Sequence, residues 1–388
     1  MAGSLFLGCV GVQASEKPRA RDIGVAPGYL KPGALNAITD VSGVRVGHVT
    51  LIEGDDIRTG ATAILPHGGN IFQGKVPAGF SVANGFGKFM GATQIDELGE
   101  IETPIVLTNT LNVPEAAAGV IEWTLDQEGN ERVASVNAVI GETNDAGLND
   151  IRKRRLTPAD ARAAIEKASA VPRDREKGEG ERVAEGAVGA GTGTIAFGFK
   201  GGIGTSSRIL VKELGGYTVG VLVQANFGGA LIVDGVAVGE ALNQFYLQDH
   251  ADRGDADGSI VIIIATDAPL SDRNLKRLAN RSFAGLARTG SSFTNGSGDY
   301  ALAFSTAKEV RRTKKRRDRA SDIRELPNNR FSPLSQAVIE ATEEAILNAL
   351  FAAVDMTGVN ARTGEASSVK ALPLEKVQEI LNNAPSTK

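Results

Sequence analysis

The chain of 388 residues contains very little cysteine and histidine, and this scarcity excludes several kinds of site. Its one cysteine, Cys9, provides neither a disulfide framework nor a cysteine–histidine catalytic pair. The three histidines, His48, His67 and His250, are far apart, so we expect structural roles for them and no metal site. A serine–histidine–aspartate triad would have to draw on one of these three residues.

The chain also lacks an excess of positive charge and any long apolar run. Its formal net charge is −4, so nothing in the overall charge points to nucleic acid. No apolar run approaches the length of about 18 residues that a membrane span needs. The segment 308–319, KEVRRTKKRRDR, is locally basic. We interpret it as a solvated loop rather than a polyanion-binding patch, because the overall charge is negative and no aromatic residue interrupts it.

The first residues are typical of the end of a secretory signal peptide. A short apolar run at 5–12 is followed by VQAS, which offers small residues for cleavage after Ala14. A basic segment before the run is missing, so a disordered N-terminus over 1–17 is the alternative. The signal-peptide interpretation predicts a periplasmic or secreted protein, and a cytoplasmic one stays open.

The rest of the chain mixes many strand patterns with a few helical ones. We expect the charged segment 172–185 to be a mobile surface loop. The absence of regular βαβ repetition indicates an α+β or layered α/β fold. We predict strands within 36–66 and 101–113 and a strand that begins at Ser259. Helices are predicted from Pro114 to near Gly129, over 272–288 and over 333–355. A further helix is predicted to begin after Thr157, with Asp160 completing a capping box.

A glycine–serine pair directly before a buried strand stands out. In DGSIVIIIATDAPL, Ser259 lies between Gly258 and five β-branched residues. The ordinary interpretation is a turn at the start of the strand. The alternative is self-cleavage, in which the serine hydroxyl attacks the Gly258 carbonyl where glycine tolerates a bent backbone. Ser259 would then carry a free α-amine, with a reference pKa of about 7.7–8.0, that could act as a base.

Three further polar positions have both an ordinary and a catalytic interpretation. Asn226 ends the apolar strand VLVQANFG and is either a turn former or a donor to an oxyanion. Ser297 and Asp299 are two residues apart, so they face one side of an extended segment and either handle a proton or form a turn. Glu142, in VIGETNDAGLND, is either an ordinary surface residue or a partner for a substrate ammonium.

The glycine-rich segment 189–194, GAGTGT, also allows two interpretations. Such segments can hold phosphate with backbone N–H groups. The Lys-Ser/Thr pair of a P-loop is missing, and TIAFGF after it has the pattern of a strand rather than a helix. Close packing of the backbone is therefore favoured.

The order of these motifs resembles the DmpA/BapA-type aminopeptidases, which comprise the L-aminopeptidase/D-esterase and β-peptidyl aminopeptidase group. The resemblance extends from residue 18 almost to the C-terminus. The matching segments are NAITDVSGVRVGH, RTGATAILPHGGN, NGFGK, TPIVLTNTLNV, GETNDAGLND, GAGTGTIAFGFKGGIGTSSR, LVQANFG, DGSIVIIIATDAPL, LKRLA and NGSGDYALAFSTA.

The resemblance implies a four-layer αββα sandwich of the kind that N-terminal-nucleophile hydrolases share with ornithine acetyltransferases. It implies one catalytic domain, 18–388, that cuts itself between Gly258 and Ser259 into chains 18–258 and 259–388. The implied roles are nucleophile for Ser259, proton handling for Ser297 and Asp299, oxyanion donor for Asn226 and ammonium binding for Glu142.

The resemblance also implies a substrate and an assembly. The substrate is a short peptide, amide or ester with a free N-terminus, from the β-, L- or D-amino acid series. No metal or organic cofactor is implied, and the assembly is a tetramer of the two-chain units. One departure concerns Asn144, where some members of the family have an aromatic residue two places after the glutamate. A self-processing acyl transferase of the ornithine acetyltransferase type is the alternative function.

Overall fold

A computed structural model describes residues 17–171, 182–249 and 258–384. The expected signal peptide and most of the expected loop at 172–185 therefore lie outside the described residues. The strands are Arg45–Glu53 (β1), Ile57–Leu65 (β2), Gly74–Gly85 (β3), Phe89–Met90 (β4), Glu100–Ile101 (β5), Ile105–Asn109 (β6), Val139–Thr143 (β7), Ile195–Ala196 (β8), Phe199–Lys200 (β9), Gly202–Ile209 (β10), Thr218–Asn226 (β11), Ser259–Thr266 (β12), Gly298–Ser305 (β13), Arg312–Thr313 (β14), Met356–Val359 (β15) and Ala366–Val369 (β16). The α-helices are Ala92–Leu98 (α1), Val113–Leu125 (α2), Pro158–Ser169 (α3), Val238–Ala241 (α4), Asp272–Arg288 (α5), Lys314–Arg317 (α6), Ser332–Phe351 (α7) and Leu374–Asn383 (α8).

Two large sheets form the middle of the molecule. The first has the strand order β10-β11-β12-β13-β3-β14, with β5 also paired to β3, and the second has the order β1-β2-β6-β7-β4. Helices α5 and α7 pack on the first sheet, and α2 and α3 pack on the second. The inner faces of the sheets meet where β7 contacts β11 and β12. The layers therefore run helix, sheet, sheet, helix, and the predicted αββα sandwich is confirmed.

Strand β12 is buried on both faces, as its run of β-branched residues predicts. Alternate side chains point to opposite sides of a sheet. Ile260, Ile262 and Ile264 therefore lie in the core beneath the helices, and Val261 and Ile263 lie in the core between the sheets. Each fully buried side chain of this kind contributes about 1.5–3 kcal/mol. The first residue of β12 is thus held at the end of a firmly anchored strand.

The two predicted helix starts in the first half of the chain are confirmed. Helix α2 begins after Asn112 with Pro114 in its first turn, but it ends at Leu125, before the predicted end near Gly129. Helix α3 begins after Thr157, whose hydroxyl accepts a hydrogen bond from Asp160 N. The Asp160 carboxylate accepts one from Thr157 N in return, at 2.8 Å, which completes the capping box.

The basic segment 308–319 is only partly a solvated loop. Arg312 belongs to β14, at the edge of the first sheet, and donates to the Leu98 carbonyl at 2.9 Å. Arg316 donates to three backbone carbonyls, whereas Lys314 and Lys315 are exposed. The solvated-loop interpretation is therefore wrong for the two arginines, because backbone acceptors hold their guanidinium groups. No helix within the described ranges combines the length and apolar character needed to cross a membrane.

Candidate active site

Ser259 is the first residue of β12 and lies between the ends of two neighbouring strands. In the strand register Asn226, the last residue of β11, lies opposite Ser259 on one side, and Gly298, the first residue of β13, lies on the other. The serine is buried, and its Oγ accepts a hydrogen bond from Gly298 N at 3.2 Å. Three positions that are far apart in the sequence thus meet at one end of the first sheet.

The peptide bond before Ser259 is in contact with the same backbone donor. Gly298 N also donates to the Gly258 carbonyl oxygen, at 3.2 Å. A Cβ on Gly258 would lie 2.1 Å from the Asn226 carbonyl oxygen. Gly258 is not among the glycines with a left-handed φ, so the reason for glycine differs from the expected one. This position requires glycine for close approach, not for an unusual backbone bend.

The Asn226 side chain is buried and held in one orientation. Its Oδ1 accepts a hydrogen bond from Ile195 N at 2.9 Å, and its Nδ2 donates to the Asn144 carbonyl at 3.1 Å. The backbone N–H of Ile195 fixes which amide atom is the acceptor, so the N–H₂ group is directed toward the segment that follows β7. The arrangement is not that of an exposed turn former.

Ser297 and Asp299 form a buried pair beside Gly298, as their spacing predicts. The Ser297 hydroxyl donates to Asp299 Oδ1 at 2.6 Å, and Asp299 Oδ2 has no hydrogen-bond partner among the described residues. Burial raises the pKa of Asp299 to about 6, although the bond from Ser297 favours the charged form. In the strand register Asp299 pairs with Ile260, so its carboxyl group is one residue removed from Ser259.

Glu142 is buried in β7, so its interpretation as an ordinary surface residue is wrong. Its Oε1 accepts a hydrogen bond from Lys88 N at 2.8 Å, and its Oε2 accepts one from the Thr110 hydroxyl. Burial raises the pKa of Glu142, and the two hydrogen bonds oppose that shift. A Cβ on the neighbouring Gly141 would lie 3.1 Å from a Val261 methyl group, so β7 crosses β12 close to its start.

Tyr300 also belongs to this region, although no sequence motif marks it. A Cβ on Gly87 would lie 3.1 Å from the Tyr300 hydroxyl and 3.2 Å from Glu142 Oε1, so the two side chains border the same backbone. Burial is the main cause of the raised pKa of Tyr300, and the Glu142 charge adds to it. Side chains alternate between the two faces of a strand, so Tyr300, two residues after Gly298, lies on the same face of β13 as Gly298. This spacing could have identified it from the sequence. An aromatic ring therefore approaches Glu142 from β13, whereas position 144 carries asparagine.

The remaining candidate features serve the fold. A Cβ on Gly191 would lie 2.4 Å from Ile203 N, so the predicted close packing of the glycine-rich segment is confirmed. His48 Nδ1 lies 2.9 Å from the Thr62 hydroxyl, and His67 Nε2 lies 2.7 Å from the Gly74 carbonyl. Burial lowers the pKa of both rings to about 4, so both are neutral near pH 7. The predicted structural role is confirmed for these two, and His250 lies outside the described residues.

Comparison with known proteins gives the same family over nearly the whole chain. Residues 36–364 match peptidase family S58. A curated relative from Sphingosinicella microcystinivorans, named beta-peptidyl aminopeptidase BapA, is 40% identical and aligns with 98% of this chain and 95% of its own.

Two solved structures share the fold. A Burkholderia sp. beta-aminopeptidase has a TM-score of 0.82 at 38% identity, and the alignment covers 96% of this chain and 100% of that one. The l-aminopeptidase d-ala-esterase/amidase of Ochrobactrum anthropi, described as a variant of the Ntn hydrolase fold, has a TM-score of 0.82 at 36% identity, with 94% and 98% covered. The chain therefore belongs to peptidase family S58 and is a hydrolase, an aminopeptidase of the DmpA type.

Proposed function

We propose that this aminopeptidase cuts its own chain between Gly258 and Ser259 and then releases N-terminal β-amino acids from short peptides and amides. The observation that carries the proposal is the position of Gly298 N, which donates both to the Gly258 carbonyl and to Ser259 Oγ. The names of the Sphingosinicella and Burkholderia relatives support the β-amino acid series.

Self-cleavage follows from the contacts around the Gly258–Ser259 peptide. Ser259 Oγ attacks the Gly258 carbonyl carbon, and Gly298 N–H stabilises the negative charge that develops on the carbonyl oxygen. The C–N bond breaks, the serine nitrogen takes up a proton, and an ester joins Gly258 to Ser259. Water then hydrolyses the ester, which leaves a carboxylate on Gly258 and a free α-amine on Ser259.

Substrate hydrolysis uses the same hydroxyl group. Ser259 Oγ attacks the carbonyl of the first residue of the substrate, and its proton passes to the Ser259 α-amine. Ser297 and Asp299 hold the charge and orientation of that amine, and Asn226 Nδ2 donates to the oxyanion in place of its bond to Asn144. The leaving amine takes up the proton, and water hydrolyses the acyl-enzyme.

Glu142 gives the site its requirement for a free N-terminus. Each carboxylate oxygen can accept two hydrogen bonds, so Glu142 can accept an ammonium N–H while it keeps its bonds to Lys88 N and Thr110. An ion pair in this buried place is only weakly screened by solvent. A substrate that lacks the positive charge would leave the carboxylate without this partner.

Glu142→Gln should lower kcat/KM for free-amine substrates by about tenfold to a hundredfold. The change keeps the shape of the side chain and removes a charge-assisted hydrogen bond of about 1.5–3 kcal/mol, where 1.4 kcal/mol corresponds to tenfold. Self-cleavage should stay near the wild-type rate, since it involves no substrate ammonium. Initial rates with β-amino acid p-nitroanilides test the change.

Exposed Glu97 provides the matched control, and Glu97→Gln should leave kcat/KM unchanged. N-acetylated substrates should be poor for all three proteins. Wild-type kcat/KM in Glu142→Gln would show that this carboxylate does not bind the ammonium. The same assay with L-α- and D-amino acid amides tests the β-preference, and an added acceptor amine tests for acyl transfer.

Gly258→Ala should slow self-cleavage by at least about tenfold. The added Cβ would overlap the Asn226 carbonyl oxygen, so the peptide must move away from Ser259 Oγ and Gly298 N. The loss of precursor on a denaturing gel measures the rate. Gly69→Ala is the control, because its Cβ would lie 3.4 Å from the nearest atom. Equal rates in wild type and Gly258→Ala would contradict the close-approach account.

We also propose that the enzyme is a tetramer of two-chain units that works in the periplasm or outside the cell. The resemblance to the DmpA/BapA group supports the tetramer, and the apolar run at 5–12 supports export. Light scattering on the purified protein measures the assembly. Fractionation of cells that produce the full chain measures the location.

A further inference from the structure

Lys200 is a fully buried lysine that has no part in the mechanism described above. Its Nζ donates to the carbonyl oxygens of Gly191, Thr194 and Gly201 at 2.8–2.9 Å. An ammonium group has three N–H donors, so these three acceptors use all of them. Burial lowers the pKa of Lys200 to about 7, whereas nearby Asp145 and the three carbonyl acceptors, which need all three N–H groups of an ammonium, favour the charged form. A fully buried ammonium group is unusual in a protein core, so a specific role for it is expected.

One of the three carbonyls links Lys200 to Asn226 through a single peptide group. Lys200 Nζ donates to Thr194 O at 2.8 Å, and the N–H of the same peptide, which belongs to Ile195, donates to Asn226 Oδ1 at 2.9 Å. A hydrogen bond to the carbonyl of a peptide group polarises its N–H, so bonds in such a chain strengthen one another. The lysine charge is thus at one end of a series of hydrogen bonds, and Asn226 Nδ2 is at the other end.

The backbone next to Lys200 packs closely against the end of β11. A Cβ on Gly201 would lie 2.3 Å from the Ala225 carbonyl oxygen, directly before Asn226. Strands β8 and β9 pair Ile195 with Lys200, so the lysine and the N–H that holds Asn226 belong to one short hairpin. The hairpin therefore sets the position of the Asn226 amide relative to Ser259.

We infer that Lys200 is a positioning residue for Asn226: its ammonium group polarises the Thr194–Ile195 peptide, which orients the Asn226 amide and strengthens Nδ2–H as a donor to the oxyanion. The inference rests on the oxyanion role proposed for Asn226. Because Nδ2–H meets the oxyanion only while that charge exists, the polarisation acts on kcat rather than on KM.

A double-mutant cycle tests the coupling with Lys200→Met, Asn226→Ala and the combined variant. We expect Asn226→Ala to lower kcat by about 10²–10³. Lys200→Met should lower kcat by about five- to fiftyfold, with KM within about twofold of wild type, since the series of hydrogen bonds from Lys200 supplies only part of the strength of Asn226 Nδ2–H as a donor. In the Asn226→Ala background Lys200→Met should change kcat by less than about twofold. A serine-directed titrant counts the processed sites, so differences in self-cleavage do not enter kcat.

The outcomes separate this inference from the role of Asn226. Wild-type kcat in Asn226→Ala would refute the oxyanion assignment and, with it, any action of Lys200 through that residue. A strong effect of Asn226→Ala beside a wild-type kcat in Lys200→Met would refute the inference alone. An equal loss from Lys200→Met in both backgrounds would also refute it, because the lysine would then act by general support of the fold.

Two further variants keep the test decisive. Exposed Lys212 gives the matched control Lys212→Met, which should leave kcat unchanged. Lys200→Gln keeps neutral N–H donors and removes the charge, so it should fold where Lys200→Met does not and should lower kcat by a smaller factor. Wild-type kcat in folded Lys200→Gln, or a loss equal in both backgrounds, would overturn the inference.

Discussion

Ser259→Ala should leave the chain uncut and lower the hydrolysis of every substrate by at least about four orders of magnitude. In the proposed mechanism the change removes the oxygen that forms the covalent bond in both reactions. The methyl group of alanine fits the space, and β12 remains anchored by its buried isoleucines. The fold should therefore be kept while both activities are lost.

A denaturing gel and N-terminal sequencing measure the cleavage. Wild type should give two chains, one of which begins at Ser259, and Ser259→Ala should give one. Ser321→Ala, at an exposed serine, should behave as wild type. Two chains in Ser259→Ala would show that cleavage does not depend on this hydroxyl. An uncut wild type with full activity would refute the α-amine as the base.

Local sequence patterns predicted the parts of the fold that depend on local chemistry. The start of β12 at Ser259 and the capping box at Thr157 are both present. Each depends on neighbours within a few residues, namely a β-branched run or a serine/threonine–acid spacing. The layer order, in contrast, came from the resemblance to a family, because local periodicity does not determine which faces of two sheets meet.

The site divides in the same way. Asn226 ends an apolar strand and Ser297 directly precedes one, so the sequence marks both positions. Tyr300 was missed because its approach to Glu142 joins distant segments, and Lys200 was missed because its link to Asn226 passes through the N–H of Ile195. A lysine beside glycines has the ordinary appearance of a turn residue. Only the folded chain brings three carbonyls to its ammonium group.

Asp299→Asn should lower kcat/KM at pH 8 by about 10²–10⁴, the range that removal of a proton-handling group gives. The amide oxygen can still accept from the Ser297 hydroxyl, so the packing is kept and the negative charge is lost. In the proposed mechanism this charge stabilises the protonated Ser259 α-amine during the attack, and the amide does not. Steady-state rates with β-amino acid p-nitroanilides measure the loss, and Asp322→Asn, at an exposed aspartate, is the control.

The raised pKa of Asp299 also makes this variant a test by pH. Wild-type kcat/KM should fall as the pH drops through about 6, where Asp299 takes up a proton. The pH profile of Asp299→Asn should lack this decrease near pH 6. The folded pKa of about 6 lies above the ordinary value of 3.8, so the folded state binds the proton more tightly than the unfolded state does. This group therefore removes stability as the pH rises from about 4 to 6, and the loss persists above that range. At pH 8 the melting temperature of Asp299→Asn should equal or exceed that of wild type, and at pH 4 the difference should shrink. If Asp299→Asn melts at a lower temperature than wild type at pH 8 and its kcat/KM still falls near pH 6, Asp299 is not the group that titrates near pH 6.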